Sequence, residues 1–267
     1  MMFKKYFSTI LMGMFLLGCE KEIQLALDPN QSLLVIDGSI TDEAGPYSIK
    51  LSKSNSISAS SNFLAVTNAL VIVKDNLGQI DTLQHEKQGE YKTNKIKGIY
   101  GNTYYLEVQV ADKKYTANTT MPQKIFLDSL RINPSSIKIN GEIRYNVIPV
   151  YVDPITLGNS YRFIQKINDT LDQTFHVFND NLNNGKENQR PLRGGSDSLE
   201  VKLKDIVAVE MQCITRTTYL YYYSLYQQSG AGPGGGTTPA NPPSNIMGGA
   251  LGIFSAHTVQ RKQIQIK

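Results

Sequence analysis

Thr103-Tyr104-Tyr105-Leu106-Glu107-Val108-Gln109-Val110-Ala111-Asp112-Lys113-Lys114-Tyr115-Thr116-Ala117-Asn118-Thr119-Thr120 is the stretch that decides the fold. Tyr104, Leu106, Val108 and Val110 recur at every second position, the period of a strand with one buried face. Ala111-Asp112 offers a turn, and Lys113 to Thr120 can pair back on the first strand. Working outward, the same grammar repeats. Leu33 to Ile36 runs into Asp37-Gly38 and Ile40, and Tyr47, Ile49 and Leu51 alternate with Ser48 and Lys50. Ala69 to Lys74 is a β-branched run, followed by a turn at Asn76-Leu77-Gly78 into Ile80 to Leu83. Residues 32–122 therefore read as an N-terminal immunoglobulin- or transthyretin-like β-sandwich ending near Met121-Pro122.

The second half, 123–267, reads as a further β-rich domain with one short helix, so the class is all-β. Ile125 to Ile132, Ile143 to Val152 and Tyr161 to Ile167 look extended, and Val207, Val209, Met211 and Cys213 alternate with Ala208, Glu210 and Gln212. That alternation turns Cys213 inward, where a thiol is a small inert hydrophobe. The spacing of Tyr219, Tyr222, Tyr223 and Tyr226 predicts a helix over about 217–228, with Thr215 or Thr217 to cap it, although so dense an aromatic run also suits a strand. An aromatic stripe of this kind is expected in the core, with one edge left to meet water or a partner. Phe178 to Ser198 is polar and reads as a long hairpin or loop without core residues. A Gly/Pro-rich loop spans 229–243.

The amino terminus addresses location. Lys4 and Lys5 precede an uncharged run from Tyr6 to Leu17, and Leu16-Leu17-Gly18-Cys19 closes it with a small residue before a cysteine. This is the pattern of a lipoprotein signal peptide over 1–18, with Cys19 the lipidated first residue of the mature chain and 19–31 a tether. The run is too short for a permanent membrane helix, so a lipid anchor is expected to join the protein to the membrane. The 267 residues include 27 basic and 23 acidic ones; without residues 1–18 the balance is +2, which excludes the concentrated basic surface of a nucleic-acid binder. With Cys19 acylated, Cys213 is left without a disulfide partner, so the core must hold the fold.

Chemistry is sparse. His85, His176 and His257 fall in separate contexts with no zinc spacing, and His257 reads as a strand-face residue rather than a base. Gly234-Gly235-Gly236-Thr237-Thr238 lacks the lysine of a phosphate loop, and Asp180-Asn181 through Gly185 fails the helical calcium register. No catalytic residue, metal or cofactor is expected. Asp81-Thr82-Leu83, Asp128-Ser129-Leu130, Asp169-Thr170-Leu171 and Asp197-Ser198-Leu199 resemble the Bacteroidota O-glycosylation site. Thr82, Ser129, Thr170 and Ser198 are thus candidate glycan acceptors, though Asp before Ser or Thr is also ordinary turn chemistry.

Asn241-Pro242-Pro243-Ser244-Asn245-Ile246 followed by Gly249-Ala250-Leu251-Gly252-Ile253-Phe254 resembles a Bacteroidota lipoprotein family, domain of unknown function 4249. Its pattern there is Asn-Pro-Pro-x-Asn-Ile, then Gly-x-Leu-Gly-x-Phe and a last strand. Ile36-Asp37-Gly38-Ser39-Ile40-Thr41-Asp42, Gly45-Pro46-Tyr47, Gly89 to Tyr91 and Gly101 to Leu106 resemble further elements of it, with Ile36 standing where the pattern has Val. From the residues themselves, Asn241, Pro242, Pro243, Asn245, Gly249, Gly252 and Phe254 are expected to act structurally. The prolines stiffen an extended approach, Asn245 bonds backbone, the glycines allow close contact or positive φ, and Phe254 plugs the core. The resemblance implies an outer-membrane lipoprotein, an accessory partner of a TonB-dependent transporter barrel in nutrient uptake; apart from the resemblance, a surface adhesin or scaffold is the alternative reading and a degradative enzyme the third. Glu20 and Glu22 around Lys21 resemble the signal for display on the cell surface, with the periplasmic face as the other outcome.

Overall fold

The computed structural model describes residues 32–54, 63–139, 141–181, 184–193, 199–229 and 240–267. Residues 1–31, with Cys19, and residues 230–239 of the Gly/Pro-rich loop lie outside them, as does Ser198. From Ser32 to Lys267 the chain forms one compact unit. It is all-β with a single described helix.

The opening hairpin folds as its alternation dictates. β8 (Thr103–Val110) and β9 (Lys113–Thr120) pair antiparallel from Thr103↔Thr120 to Val110↔Lys113. With β4 (Leu70–Asp75) and β5 (Ile80–Thr82) they form a four-stranded sheet in the order β5-β4-β8-β9. The Asp75 carboxylate accepts from Leu77 N and Gln79 N, an Asx turn that fixes the Asn76-Leu77-Gly78 corner.

This sheet covers one end of a ten-stranded sheet. Its strands are β1 (Leu34–Thr41), β2 (Ser48–Lys53), β3 (Leu64–Ala65), β6 (Gln84–Lys87), β7 (Glu90–Lys92), β12 (Ser160–Ile167), β13 (Thr170–Leu171), β14 (His176–Asn179), β15 (Ile206–Ile214) and β16 (Leu251–Gln265). Its main path is β13-β12-β15-β16-β1-β2-β7-β6. β16 is the hinge of the architecture. Its first half pairs parallel with β1, Val35↔Leu251 to Thr41↔His257, and its second half pairs antiparallel with β15, Cys213↔Thr258 to Ile206↔Gln265.

Two cores line one face of this sheet. The first joins Ile36, Ile49, Leu51, Val71, Tyr104 and Val108 with Phe254 and Ala256 of β16. The second, under the hairpin of β10 (Ser129–Ile139) and β11 (Glu142–Val150), gathers Tyr151, Tyr161, Phe163, Val209, Met211 and Cys213. The division read at Pro122 falls between Met121 of the first core and Leu127 of the second. The last strand nevertheless serves both, a non-local pairing that local periodicity does not encode.

On the opposite face lies α1 (Arg216–Gln228), whose N-cap Thr215 accepts from Thr218 N. The helix, not the competing strand, is what the tyrosine spacing produces. Tyr219 packs with Val177 and Ile214 in a third cluster that Tyr222 and Tyr223 join at its edge.

The segment after Phe178 corrects the sequence reading of a loop without core residues. Leu192 is buried in the second core, and Asn188 is wholly buried, donating through Nδ2 to Pro149 O and Arg190 O. One buried amide with satisfied bonds, and one leucine, suffice to pin a polar segment to the body.

Candidate functional site

Asn245 is half-buried between the sheets. Its Nδ2 donates to Asn118 O of β9 at 2.9 Å and Phe254 O of β16 at 2.7 Å, while Oδ1 accepts from Phe254 N at 3.0 Å. Met247 bridges Thr116, so 245–247 caps the free edge of β9. Gly252 has φ +101°, and a Cβ there would lie 2.0 Å from Ile36 O, so only glycine lets β16 meet β1. Phe254 is fully buried. The segment is thus built as a structural clip, with Pro242 half-buried and Asn241, Pro243 and Gly249 exposed along it.

The acceptors Thr82, Ser129 and Thr170 are exposed, on β5, β10 and β13 respectively, and do not converge. Asp81, by contrast, is buried and accepts from Asn94 N, Lys95 N and Ile96 N, which is turn chemistry. Cys213 is buried as its alternation requires, and burial pushes its thiol pKa up.

A concave site opens elsewhere, between α1, β14 and the 189–193 segment, with a volume of about 540 Å³. One wall is the helix. Tyr219, Tyr223 and Tyr226 follow i, i+4, i+7 and share a face; the rings of Tyr219 and Tyr223 stack 5.6 Å apart at 13°, and Tyr226 continues the row at 6.4 Å. Their hydroxyls keep a proton to donate: Tyr219 Oη accepts from Asn179 Nδ2 and Tyr223 Oη from Gln227 Nε2, both at 3.0 Å. Burial raises the Tyr219 pKa further, so the phenol stays protonated.

The facing wall is cationic. Arg190 lays its guanidinium 4.0 Å over the Phe178 ring, and Arg193 is exposed on the same segment; on the helix itself, Arg216 stands 4.9 Å over Tyr219. Nearby carboxylates are engaged elsewhere. Glu187 is bound by Arg131 at 2.6 Å, and Asp180 accepts from Gly158 N and Asn159 N. His176, at the floor, lies 3.4 Å from Asp172. Burial alone would raise the Asp172 carboxyl, but the bonds from His176 and Thr174 outweigh it and hold its pKa below the ordinary value. Among the described residues, no carboxylate pairs with Arg190 or Arg193. The cleft can therefore stack a ring and hold an anion, and its histidine is already tied to a carboxylate.

The family model called Domain of unknown function (DUF4249) matches residues 20–263. The chain belongs to this family. A search of curated proteins finds no match. The DUF4249 match takes in the clip, the tyrosine helix and the cleft together.

Sequence reasoning found one half of the cleft's lining, the tyrosine stripe, but expected it in the core with one edge left for water or a partner, not as the wall of a ligand site. It missed the other half, because Arg190 and Arg193 lie in a segment read as loop. The available signal was Arg190-Pro191-Leu192-Arg193, two guanidiniums bracketing a lone leucine in an otherwise polar run.

Proposed function

We propose that this DUF4249 protein is a non-catalytic lipoprotein of the Bacteroidota outer membrane, anchored through acylated Cys19 and serving as the accessory binding partner of a TonB-dependent barrel in nutrient uptake. The observation that supports binding most directly is the cleft, where stacked tyrosines face the guanidiniums of Arg190 and Arg193, which have no carboxylate partner among the described residues, while the neighbouring titratable groups are already bonded. The anchor is supported by Lys4, Lys5, the uncharged run and Gly18-Cys19, and by a family match that begins at the next residue. The twelve residues 20–31 between Cys19 and the compact unit set an upper limit of about 40 Å on how far the body could stand from the anchor. No helix among the described residues is long and apolar enough to cross a membrane; in this reading attachment falls to the acyl chains.

Two measurements test the proposal. In the native host, Cys19→Ala should leave the membrane fraction and fail to take up radiolabelled palmitate, and mild-detergent pull-down of the wild type should recover an outer-membrane barrel. Continued sedimentation of the variant with membranes refutes the anchor. Repeated recovery without a barrel refutes the partnership.

A further inference from the structure

The row of Tyr219, Tyr223 and Tyr226 extends for seven residues of helix, about 10 Å, and so offers a platform longer than one ring. Tyr219 is buried, its ring covered by Tyr223 and Arg216, so it backs the row, while the half-buried Tyr223 and Tyr226 offer apolar surface to the C–H face of a pyranose, and the phenol protons left free on Tyr219 and Tyr223 suit its hydroxyl rim. Opposite them, Arg190 is pre-oriented by its stacking on Phe178, and a planar guanidinium held in this way presents a two-pronged donor to a planar carboxylate. The volume of about 540 Å³ lies within the range of roughly 300–1,000 Å³ usual for small-molecule sites.

We propose that the cleft binds a carboxylated pyranose, as one unit of an acidic oligosaccharide, with Arg190 and Arg193 on the carboxylate and the tyrosine row beneath the sugar rings. This rests on the reading of the cleft as a binding site, and is independent of the barrel. Uronic and sialic acids share the required chemistry, so the two sources are separate arms of the test.

The experiment is titration calorimetry on the full-length protein in detergent, with trigalacturonate against neutral galactotriose and sialyllactose against lactose. At least one acidic sugar should bind ten times or more tighter than its neutral counterpart, and which one does identifies the source. Arg190→Gln should weaken the acidic ligand at least tenfold and abolish the discrimination. Arg190→Lys, which keeps the charge and loses the planar stack, should retain part of it, and so separates recognition from misfolding. Tyr223→Ala should weaken acidic and neutral sugars alike. Equal affinity for acidic and neutral sugars, an unchanged Arg190→Gln, no acidic sugar bound at millimolar concentration, or displacement by inorganic phosphate at the same concentration would each overturn the proposal. A barrel recovered by pull-down alongside such a failure would leave the accessory role standing and remove only the ligand class.

Discussion

His257, read from the sequence as a strand-face residue rather than a base, sits buried in the last strand. It is only 6% exposed on β16, with Nδ1 3.1 Å from Ser255 Oγ. Burial, aided by the Arg162 charge and opposed by Asp42 and Glu43, pushes its pKa down from 6.5 to about 4. The folded state therefore prefers the neutral ring. Its contribution is complete above the unfolded pKa and is lost as pH falls from about 6.5 towards 4, where the unfolded chain takes a proton and the native chain does not. A shift of that size corresponds to about 3 kcal/mol. Urea unfolding at pH 7, 5.5 and 4 should show this loss in the wild type and a shallower one in His257→Gln. Asp172, whose carboxyl is lowered, works in a more acidic window: its contribution is lost as pH falls through its depressed pKa, in both proteins. Parallel pH curves for wild type and variant would rule out His257 as the source.

At the scale of elements, the clip around Asn245 links the two sheets of the first sandwich through one amide. Asn245→Ala removes three hydrogen bonds and leaves the backbone N–H of fully buried Phe254 without the acceptor it uses here. The expected loss is about 3 kcal/mol, and amide exchange at Phe254 should accelerate more than at Val209 of the second core. Uniform acceleration at both would mean that the clip acts only through global stability. Elements of this kind show what was legible. The β8–β9 hairpin and the tyrosine helix were readable to within a residue or so, because alternation, a two-residue turn and a threonine cap are local facts. Asn245 and Gly252 were readable as structural through residue type, yet their partners Asn118 and Ile36 were not, since those lie more than a hundred residues away. The cleft was half legible for the same reason. Its tyrosines follow a helical period, whereas Arg190 and Arg193 acquire meaning only once Asn188 and Leu192 pin their segment beside α1.

At the scale of the molecule, β16 makes the halves interdependent. The segment 32–122 contains the strands of the four-stranded sheet and β1, β2 and β7, and its boundary falls between the two cores. Without 246–256 it would lack Ile246, Ala250, Phe254 and Ala256, all buried in the first core, and β1 would lose its parallel neighbour. Removing a buried phenylalanine side chain alone costs about 3–5 kcal/mol, a large share of the 5–15 kcal/mol that typically separates folded from unfolded domains. An exposed β1 edge would add an unpaired row of backbone donors and acceptors. Residues 32–122 expressed alone should therefore fail to unfold cooperatively in urea and show collapsed amide dispersion by NMR. A synthetic peptide of residues 240–267 added in excess should restore both, since it supplies the strand and the clip at once. A sharp two-state transition from the fragment alone would show instead that the first sandwich is autonomous and that β16 is an accessory to it.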